Sequence, residues 1–412
     1  MIGKTDPRRD VNHLITSGQY DPTSEIPAAL INLSVVEEIA HMWKKELPQV
    51  RPYYAMKSGP DLKTMETLHA LGFGFDCASD VEIEIARQIP SLDCTKDVIF
   101  AHPSKFVSHI KRAKEWGVIM TTFDNIDELG KLNQHYPEAE LLLRIRPPSG
   151  KALFELGKKF GALEQNWLEM FNFIKDKGLV LKGIAFHVGS LCNEPETFEK
   201  AIGMARSCFD TAYSVGLKPD LLDIGGGYGN HPEWNLPPFS EFARVIREGL
   251  KQHFGDLSHI RFIAEPGRLI LETATILVAS VIGKRVDQVI DETSGETHPH
   301  YNYFLNDGVY GSLYGLPYGE YLRNEGNTIP LQDNPTAKLL PTSLFGPTCD
   351  CTDTLTDNIR LPELHMGDKI LMNFLGAYLL RLALGGVSEN TTFNGYPRPQ
   401  VYHYRLAPPK SD

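Results

Sequence analysis

At 412 residues the chain is too long for one ordinary core and predicts about two or three domains, and its 42% hydrophobic and 23% charged residues exclude a disordered or fibrous protein. Forty-one Lys plus Arg against 52 Asp plus Glu leave a net charge of -11 with no long run of either sign, which argues against a protein that tracks nucleic acid. The six cysteines, Cys77, Cys94, Cys192, Cys208, Cys349 and Cys351, are too scattered for a disulfide scaffold, and no Cys-x-x-Cys pair or His cluster has metal spacing. The N-terminus MIGKTDPRRDVNHL lacks the apolar core of a signal peptide, and the longest apolar stretch, Leu269 to Gly283, is broken by Glu272 and two threonines. The expectation is a cytoplasmic protein with reduced thiols, no metal and no membrane span.

From residue 34 onward, short apolar or β-branched runs alternate with segments of helical period. Ser34 is placed to cap a first helix, VVEEIAHMW, with Glu37 completing a capping box. Strands are expected at Tyr53–Lys57, Phe73–Cys77, Val98–Ala101, Val118–Thr122, Leu141–Arg146, Gly183–His187, Leu221–Ile224 and Phe262–Glu265, each followed by room for a helix; one of these helices starts near Pro195 and runs past Phe198 and Ala205. About eight βα units over about 230 residues match a (β/α)8 barrel of the TIM type. Beyond Leu269 the runs ILETATILVASVIG, YNYFLND, DKILMNFLGAY and QVYHYRL are extended in character, so a boundary near residue 272 separates the barrel from a C-terminal β-sandwich or β-barrel domain. Residues 286–300 and 322–340 are polar and turn-rich and read as surface loops.

In such a barrel the chemistry gathers at the C-terminal ends of the strands. There the chain offers Lys57, Asp76, His102, Arg144, His187 with Ser190, the triplet Gly225–Gly226–Gly227, and Glu265 with Arg268. A lysine at a barrel mouth is desolvated toward its nucleophilic amine form, although a lysine at a strand end can equally lead out to solvent. Consecutive glycines let backbone N–H groups approach a phosphate, and Arg268 adds a bidentate phosphate donor; a tight turn and a surface ion pair are the plainer alternatives. Glu265 could hold a pyridine nitrogen protonated, and a flat imidazole at His187 could stack on a ring or be a hydrogen-bonded core residue. The set suits a phosphorylated, electrophilic cofactor. Farther on, Cys349 and Asp350 follow a Gly-Pro turn, and Tyr378 could be a core aromatic or a phosphate ligand.

The motifs YYAMKS, FGFDCAS, LLLRI, KKFGA, FHVGS, LLDIGGGYG, AEPGR, NDGVYGS, FGPTCD, LPELHMGD, GAY and FNGY occur in an order that resembles the fold type III pyridoxal-phosphate decarboxylases, which act on ornithine, lysine, arginine and diaminopimelate. Within that family the chain is most similar to the eukaryotic ornithine decarboxylases. The resemblance implies that Lys57 binds the aldehyde of pyridoxal 5'-phosphate, His187 stacks on its ring, and Glu265 meets the pyridinium nitrogen. It implies that Ser190, Gly225, Gly226, Gly227, Arg268 and Tyr378 hold the phosphate, with Asp76, Glu82 and Arg144 as polar support. By the same resemblance Cys349 is the acid that reprotonates the α-carbon and Asp350 contacts the substrate side chain, both reaching the site from the partner in a head-to-tail homodimer with shared sites. The implied layout is a cofactor-binding barrel over 27–272, with 1–26 and 273–412 forming the β-rich domain.

The departures bear on the substrate. Where ornithine decarboxylases carry Tyr-Asp-His after the DGVYGS motif, this chain has Tyr318-Gly319-Glu320, so the acid that meets a distal ammonium is replaced by Gly319. Pro317, and Leu191 at a position where the family usually has glycine, further change the pocket wall. Losing a buried counter-charge weakens the hold on a primary ammonium, which predicts an ornithine-like L-amino acid with a bulky or N-substituted side chain, of the kind used in alkaloid pathways by loline-type decarboxylases. Ordinary ornithine or lysine decarboxylation for polyamine synthesis is the alternative, with Glu320 restoring the charge. A racemase of related fold would share Lys57, but the Cys349-to-Asp353 motif favours decarboxylation. A non-catalytic regulator resembling the antizyme inhibitors is a further alternative, and no strand end supplies a hydrolase triad. The chain closes on a short polar tail, so no long C-terminal extension for turnover is expected.

Overall fold

The computed structural model describes residues 6–148, 150, 152–154, 157–229, 236–290, 295–314, 327–378 and 393–407. Chain contacts divide into two units, Glu37–Ile270 and Met1–Val36 with Leu271–Asp412. The strands are β1 (Ala28–Asn32), β2 (Val50–Ala55), β3 (Gly74–Cys77), β4 (Val98–Phe100), β5 (Met120–Phe123), β6 (Glu140–Arg144), β7 (Ala152–Phe154), β8 (Val180–Ala185), β9 (Ser190–Cys192), β10 (Leu221–Asp223) and β11 (Arg261–Ala264). After these come β12 (Thr275–Ile290), β13 (Thr297–Leu305), β14 (Thr328–Pro330), β15 (Leu340–Phe345), β16 (Thr354–Leu361), β17 (Lys369–Asn373) and β18 (Gln400–Tyr404).

In the first unit, eight parallel strands close a barrel in the order β10-β11-β2-β3-β4-β5-β6-β8, and each expected barrel strand is present within a few residues of its expected position. Tyr53, Ile99, Met120, Leu142, Leu221 and Ile263, from six different strands, meet in one buried cluster that fills the barrel toward one end. Burial of side chains this large contributes about 1.5–3 kcal/mol each. Helices return the chain between strands, and several start on side-chain caps: Asp61 accepts from the Thr64 N–H (2.8 Å), Ser79 from Glu82 (3.2 Å) and Asn125 from Glu128 (2.9 Å). The short strands β7 and β9 pair antiparallel with each other and lie outside the barrel sheet.

The second unit is one eight-stranded, mostly antiparallel sheet, β14-β17-β12-β13-β15-β16, with β1 joined to β12 and β18. The stretch containing β1, expected inside the barrel span, belongs here: Ala28 pairs with Val278 and Gln400. The helix Pro7–Thr16 packs Val11 and Leu14 onto Leu30, Ile276, Val278 and Leu371, and its buried Asp10 accepts from the Tyr404 hydroxyl at 2.9 Å. Three further expectations are corrected. The helix at Leu33–Glu46 takes its cap from Asn32, whose Oδ1 accepts from the Ser34 N–H at 3.0 Å, because β1 runs straight into the helix. Much of 286–300 is a ribbon, not a loop: β12 and β13 stay paired out to Ile290 and Thr297, and these pairs are largely exposed, which explains their polar, loop-like sequence. Thr328–Pro330, within the second expected loop, pairs with β17. Among the described residues no helix is long and apolar enough to cross a membrane.

Candidate active site

Parallel strands share one direction, so the residues that follow them share one rim. Lys57 was expected as the last residue of a strand; the strand ends at Ala55, and Lys57 sits in the one-turn 3₁₀ helix Met56–Ser58. The turn forms because the Tyr54 hydroxyl bridges it, donating to the Gly59 carbonyl (2.9 Å) and accepting from Ser58 (3.0 Å). The Ala55 N–H in turn donates to the Pro266 carbonyl at 3.1 Å, which seats the Glu265–Arg268 segment against it. Lys57 thereby points its ammonium at Asp76, Nζ to Oδ2 3.2 Å, with the Asp76 side chain only 2% exposed. Register explains the meeting: Ala55 is directly paired with Asp76 across β2 and β3.

The glycine triplet follows β10 and packs against the ends of β8 and β11. A Cβ on Gly226 would stand 2.6 Å from the Glu265 carbonyl oxygen and 3.1 Å from His187 Nε2, and one on Gly225 or Gly227 would collide with the carbonyls of Phe186 or Gly189. Among the described residues the N–H groups of Gly226 and Gly227 donate to no protein acceptor, so both are available to phosphate oxygens. Arg268, 6% exposed, opens the short helix after β11 and donates from Nε to the Ser190 hydroxyl at 3.4 Å. Ser190 is held by its place in β9, whose Cys192 N–H donates to the Gly227 carbonyl (3.2 Å). Between them Leu191 adopts φ 56°, the left-handed region that costs a branched side chain about 1–2 kcal/mol and that glycine enters freely.

The electrostatics follow from burial. His187 Nδ1 accepts from the Gly189 N–H at 3.0 Å, which places the ring proton of the neutral form on Nε2. Desolvation, then the nearby cations Arg144 and Lys57, hold this imidazole well below its usual range, so it is neutral at physiological pH. Glu265 moves the other way: burial and the carboxyls of Asp223 and Asp76 push it well above the usual carboxyl range. Asp223, wholly buried, is pushed up to about 6 by desolvation, although its Oδ1 accepts from the Gly225 N–H at 2.8 Å. Arg144, the last residue of β6, lies with its guanidinium 5.3 Å from the Phe160 ring centre. Glu82, whose N–H donates to the Ser79 cap, turns its carboxylate back to accept from the Ala78 N–H at 2.6 Å. His102 Nδ1 accepts from the Ser104 N–H at 3.0 Å.

These groups fit pyridoxal phosphate. A primary amine beside a buried carboxylate suits an aldehyde, two unengaged glycine N–H groups beside an Arg–Ser pair suit a phosphate, and a carboxyl crowded by two others suits a cationic ring nitrogen that would relieve it. Asp223 went unnoticed in the sequence; the signal was an acid at the last position of β10, two residues before the glycines, where its carboxyl can only cap the turn or face its neighbour. A concavity of about 1020 Å³ lies at the opposite end of the barrel, among Val50, Met120, Leu221 and Arg261. Of its charged groups, Arg51 pairs with Asp97 at 2.6 Å and Lys182 with Asp220 at 3.2 Å.

The remaining expected site residues belong to the β unit. Cys349 is exposed on the turn between β15 and β16, beside Asp350, whose carboxyl the Thr352 N–H holds below its usual range. Tyr378 lies in a turn after β17, at φ 67°. Pro317, Tyr318, Gly319 and Glu320 lie outside the described residues.

Residues 33–272 match the family described as pyridoxal-dependent decarboxylase, pyridoxal binding domain. Over 97% of its length the chain is 35% identical to 83% of a probable ornithine decarboxylase of Dictyostelium discoideum. It is 37% identical to the ornithine decarboxylase of Mus musculus, covering 89% of the chain and 78% of the relative. Antizyme inhibitor 2 of Xenopus laevis is 36% identical, covering 88% and 77%. Among solved structures, arginine decarboxylase of Paramecium bursaria Chlorella virus, bound to agmatine, superposes with a TM-score of 0.84 at 32% identity, covering 96% of this chain and 100% of that one. The lysine/ornithine decarboxylase of Vibrio vulnificus, complexed with putrescine, gives 0.79 at 28%, covering 96% and 98%.

Proposed function

We propose that this chain, which belongs to the pyridoxal-dependent decarboxylase family and is a pyridoxal-phosphate-dependent amino-acid decarboxylase, takes L-ornithine as its substrate and yields carbon dioxide and putrescine. The observation that carries the reading is the Lys57–Asp76 pair at 3.2 Å, set beside a glycine turn with unengaged donors, in a chain whose long relatives are named ornithine decarboxylases. The expectation of a bulky or N-substituted substrate rested on Gly319, which lies outside the described residues, and none of the relatives above is named for such a substrate. The regulator alternative has one relative in its favour, but this chain keeps Lys57, Arg144, Glu265 and Cys349.

When bound, the cofactor supplies an aldehyde for the substrate amine and a protonated ring that accepts the electron pair left as carbon dioxide departs. Lys57 would hold the aldehyde end, with Asp76 fixing the amine's position. Glu265 would hold the ring nitrogen. Neutral His187 would lie against the ring, where a charged imidazolium would compete with its positive charge. Gly225, Gly226, Gly227, Ser190, Arg268 and Tyr378 would bind the phosphate. Cys349 would return a proton from Sγ to the α-carbon and Asp350 would face the substrate side chain, both supplied by the partner in a head-to-tail homodimer.

Carbon dioxide release by the cofactor-loaded protein should be fastest with L-ornithine in a series including lysine, arginine, diaminopimelate and Nδ-substituted ornithines. Lys57→Ala should lose turnover together with the cofactor's visible absorbance. Faster release from an Nδ-substituted ornithine would replace the ornithine reading with the bulky-substrate one.

A further inference from the structure

The reaction proposed above uses one of two neighbouring thiols. Cys349 and Cys351 flank Asp350 on the β15–β16 turn and both are exposed, whereas Cys77, Cys192 and Cys208 are buried and Cys94 is half-buried. The turn is closed by a single buried side chain. Asp353, 2% exposed, accepts through Oδ2 from the Thr348 N–H (3.0 Å) and hydroxyl (2.7 Å), and through Oδ1 from the Val309 N–H (2.8 Å). Its own backbone completes the clamp, its N–H donating to the Asp350 carbonyl (3.1 Å) and its carbonyl accepting from the Gly346 N–H (2.8 Å). Inside the clamp, Asp350 Oδ1 accepts from the N–H (2.8 Å) and hydroxyl (2.7 Å) of Thr352. Both cysteines are thus held, exposed, on a short loop pinned by Asp353. Chain geometry keeps Cα atoms two positions apart within about 5–7 Å, which overlaps the separation a disulfide spans.

We propose that Cys349 and Cys351 form a dithiol modification site that peroxide converts to an intraloop disulfide. One thiolate attacks a peroxide oxygen, the O–O bond breaks, and the departing hydroxide takes a proton to become water, leaving a sulfenic acid. The second thiolate attacks that sulfur, the S–O bond breaks, and the hydroxide leaves as water. In sum two thiols lose two electrons and two protons, and one hydrogen peroxide is reduced to two waters. The fixed loop favours the second step, since the resolving thiol is already adjacent, and a small ring between near neighbours is readily reopened by a reducing thiol. The effect on turnover rests on the reading of Cys349 as proton donor: a disulfide sulfur carries no proton to give.

The test treats the cofactor-loaded protein with hydrogen peroxide, blocks free thiols, and weighs the peptide that contains both cysteines. In the wild type this peptide should be lighter by two hydrogens and refuse both blocking groups, and turnover should fall and return with dithiothreitol. Cys351→Ser should match the wild type before peroxide and form no such peptide. Its activity should then be lost without recovery, since Cys349 lacks a resolving partner and passes to the sulfinic acid. A wild-type peptide that still takes both blocking groups, or one found only in chains cross-linked on a non-reducing gel, overturns the site. A disulfide that forms without loss of turnover upholds the site and removes Cys349 as the proton donor, so the two readings fail separately.

Discussion

Asp223 and Glu265 place two carboxyls side by side in the barrel rim, and desolvation decides their charge. An aspartate in an unfolded chain titrates near about 3.9, and in the fold Asp223 is raised to about 6. A raised folded value means that stability present below about pH 4 is lost as pH rises through about 6, because folding then confines an anion. Asn at this position keeps the oxygen that accepts the Gly225 N–H and removes the charge. In Asp223→Asn the melting temperature should therefore fall less than in the wild type between pH 4 and pH 7. Glu265 would also lose a negative neighbour that raises it, so the acid limb of cofactor affinity should move to lower pH. Scanning fluorimetry and cofactor titration read the two effects; superimposable profiles for variant and wild type would mean that the carboxyls are not coupled.

At the scale of elements, the rim is stiff because its connections are pinned from several strands at once. Lys105, its side chain 1% exposed, donates to the carbonyls of His102 (2.9 Å) and Thr122 (2.6 Å) and pairs with Glu128 at 2.9 Å, tying the loop after β4 to the end of β5 and to the following helix. Burial pushes its ammonium down to about 8, even with Glu128 opposing. The β10 turn is pinned more tightly, its Gly225 carbonyl accepting from the Glu265 N–H at 2.8 Å. Gly226→Ala would drive a methyl against the Glu265 carbonyl and the His187 ring. Overpacking of that kind costs about 1–3 kcal/mol, which converts to roughly tenfold or more in cofactor affinity if the turn yields instead of the barrel. Cofactor titration should show this loss while far-ultraviolet circular dichroism stays at the wild-type spectrum; unaltered affinity would remove the turn from the phosphate site.

For the whole molecule, the division of labour between barrel and β unit makes assembly a testable quantity. If the thiol and the lysine of one site come from different protomers, Lys57→Ala and Cys349→Ala chains should each be strongly impaired alone. Allowed to exchange subunits in equal amounts, they should regain about a quarter of wild-type activity, since half the dimers are mixed and each mixed dimer holds one intact site. Activity no higher than the average of the two separate variants would mean that each site is built within one chain. The barrel was legible in the sequence because the alternation of short apolar runs with capped, periodic segments is local, and so were Lys57, Asp76 and the glycine turn, since strand ends mark the rim. The membership of β1 was not, because it depends on pairing with β12 and β18, far along the chain, while its own five residues would suit any buried strand. Nor was the long β12–β13 ribbon, whose exposed faces remove the apolar alternation that announces a strand. By itself the sequence determined the barrel's elements, which residues stand at its rim and the cofactor class, all fixed by short-range pattern and residue chemistry. Only the tertiary structure decided the Asp223–Glu265 neighbourhood, the left-handed Leu191 and the loop clamped by Asp353, because burial and the meeting of distant strand ends set the charge and shape of those groups.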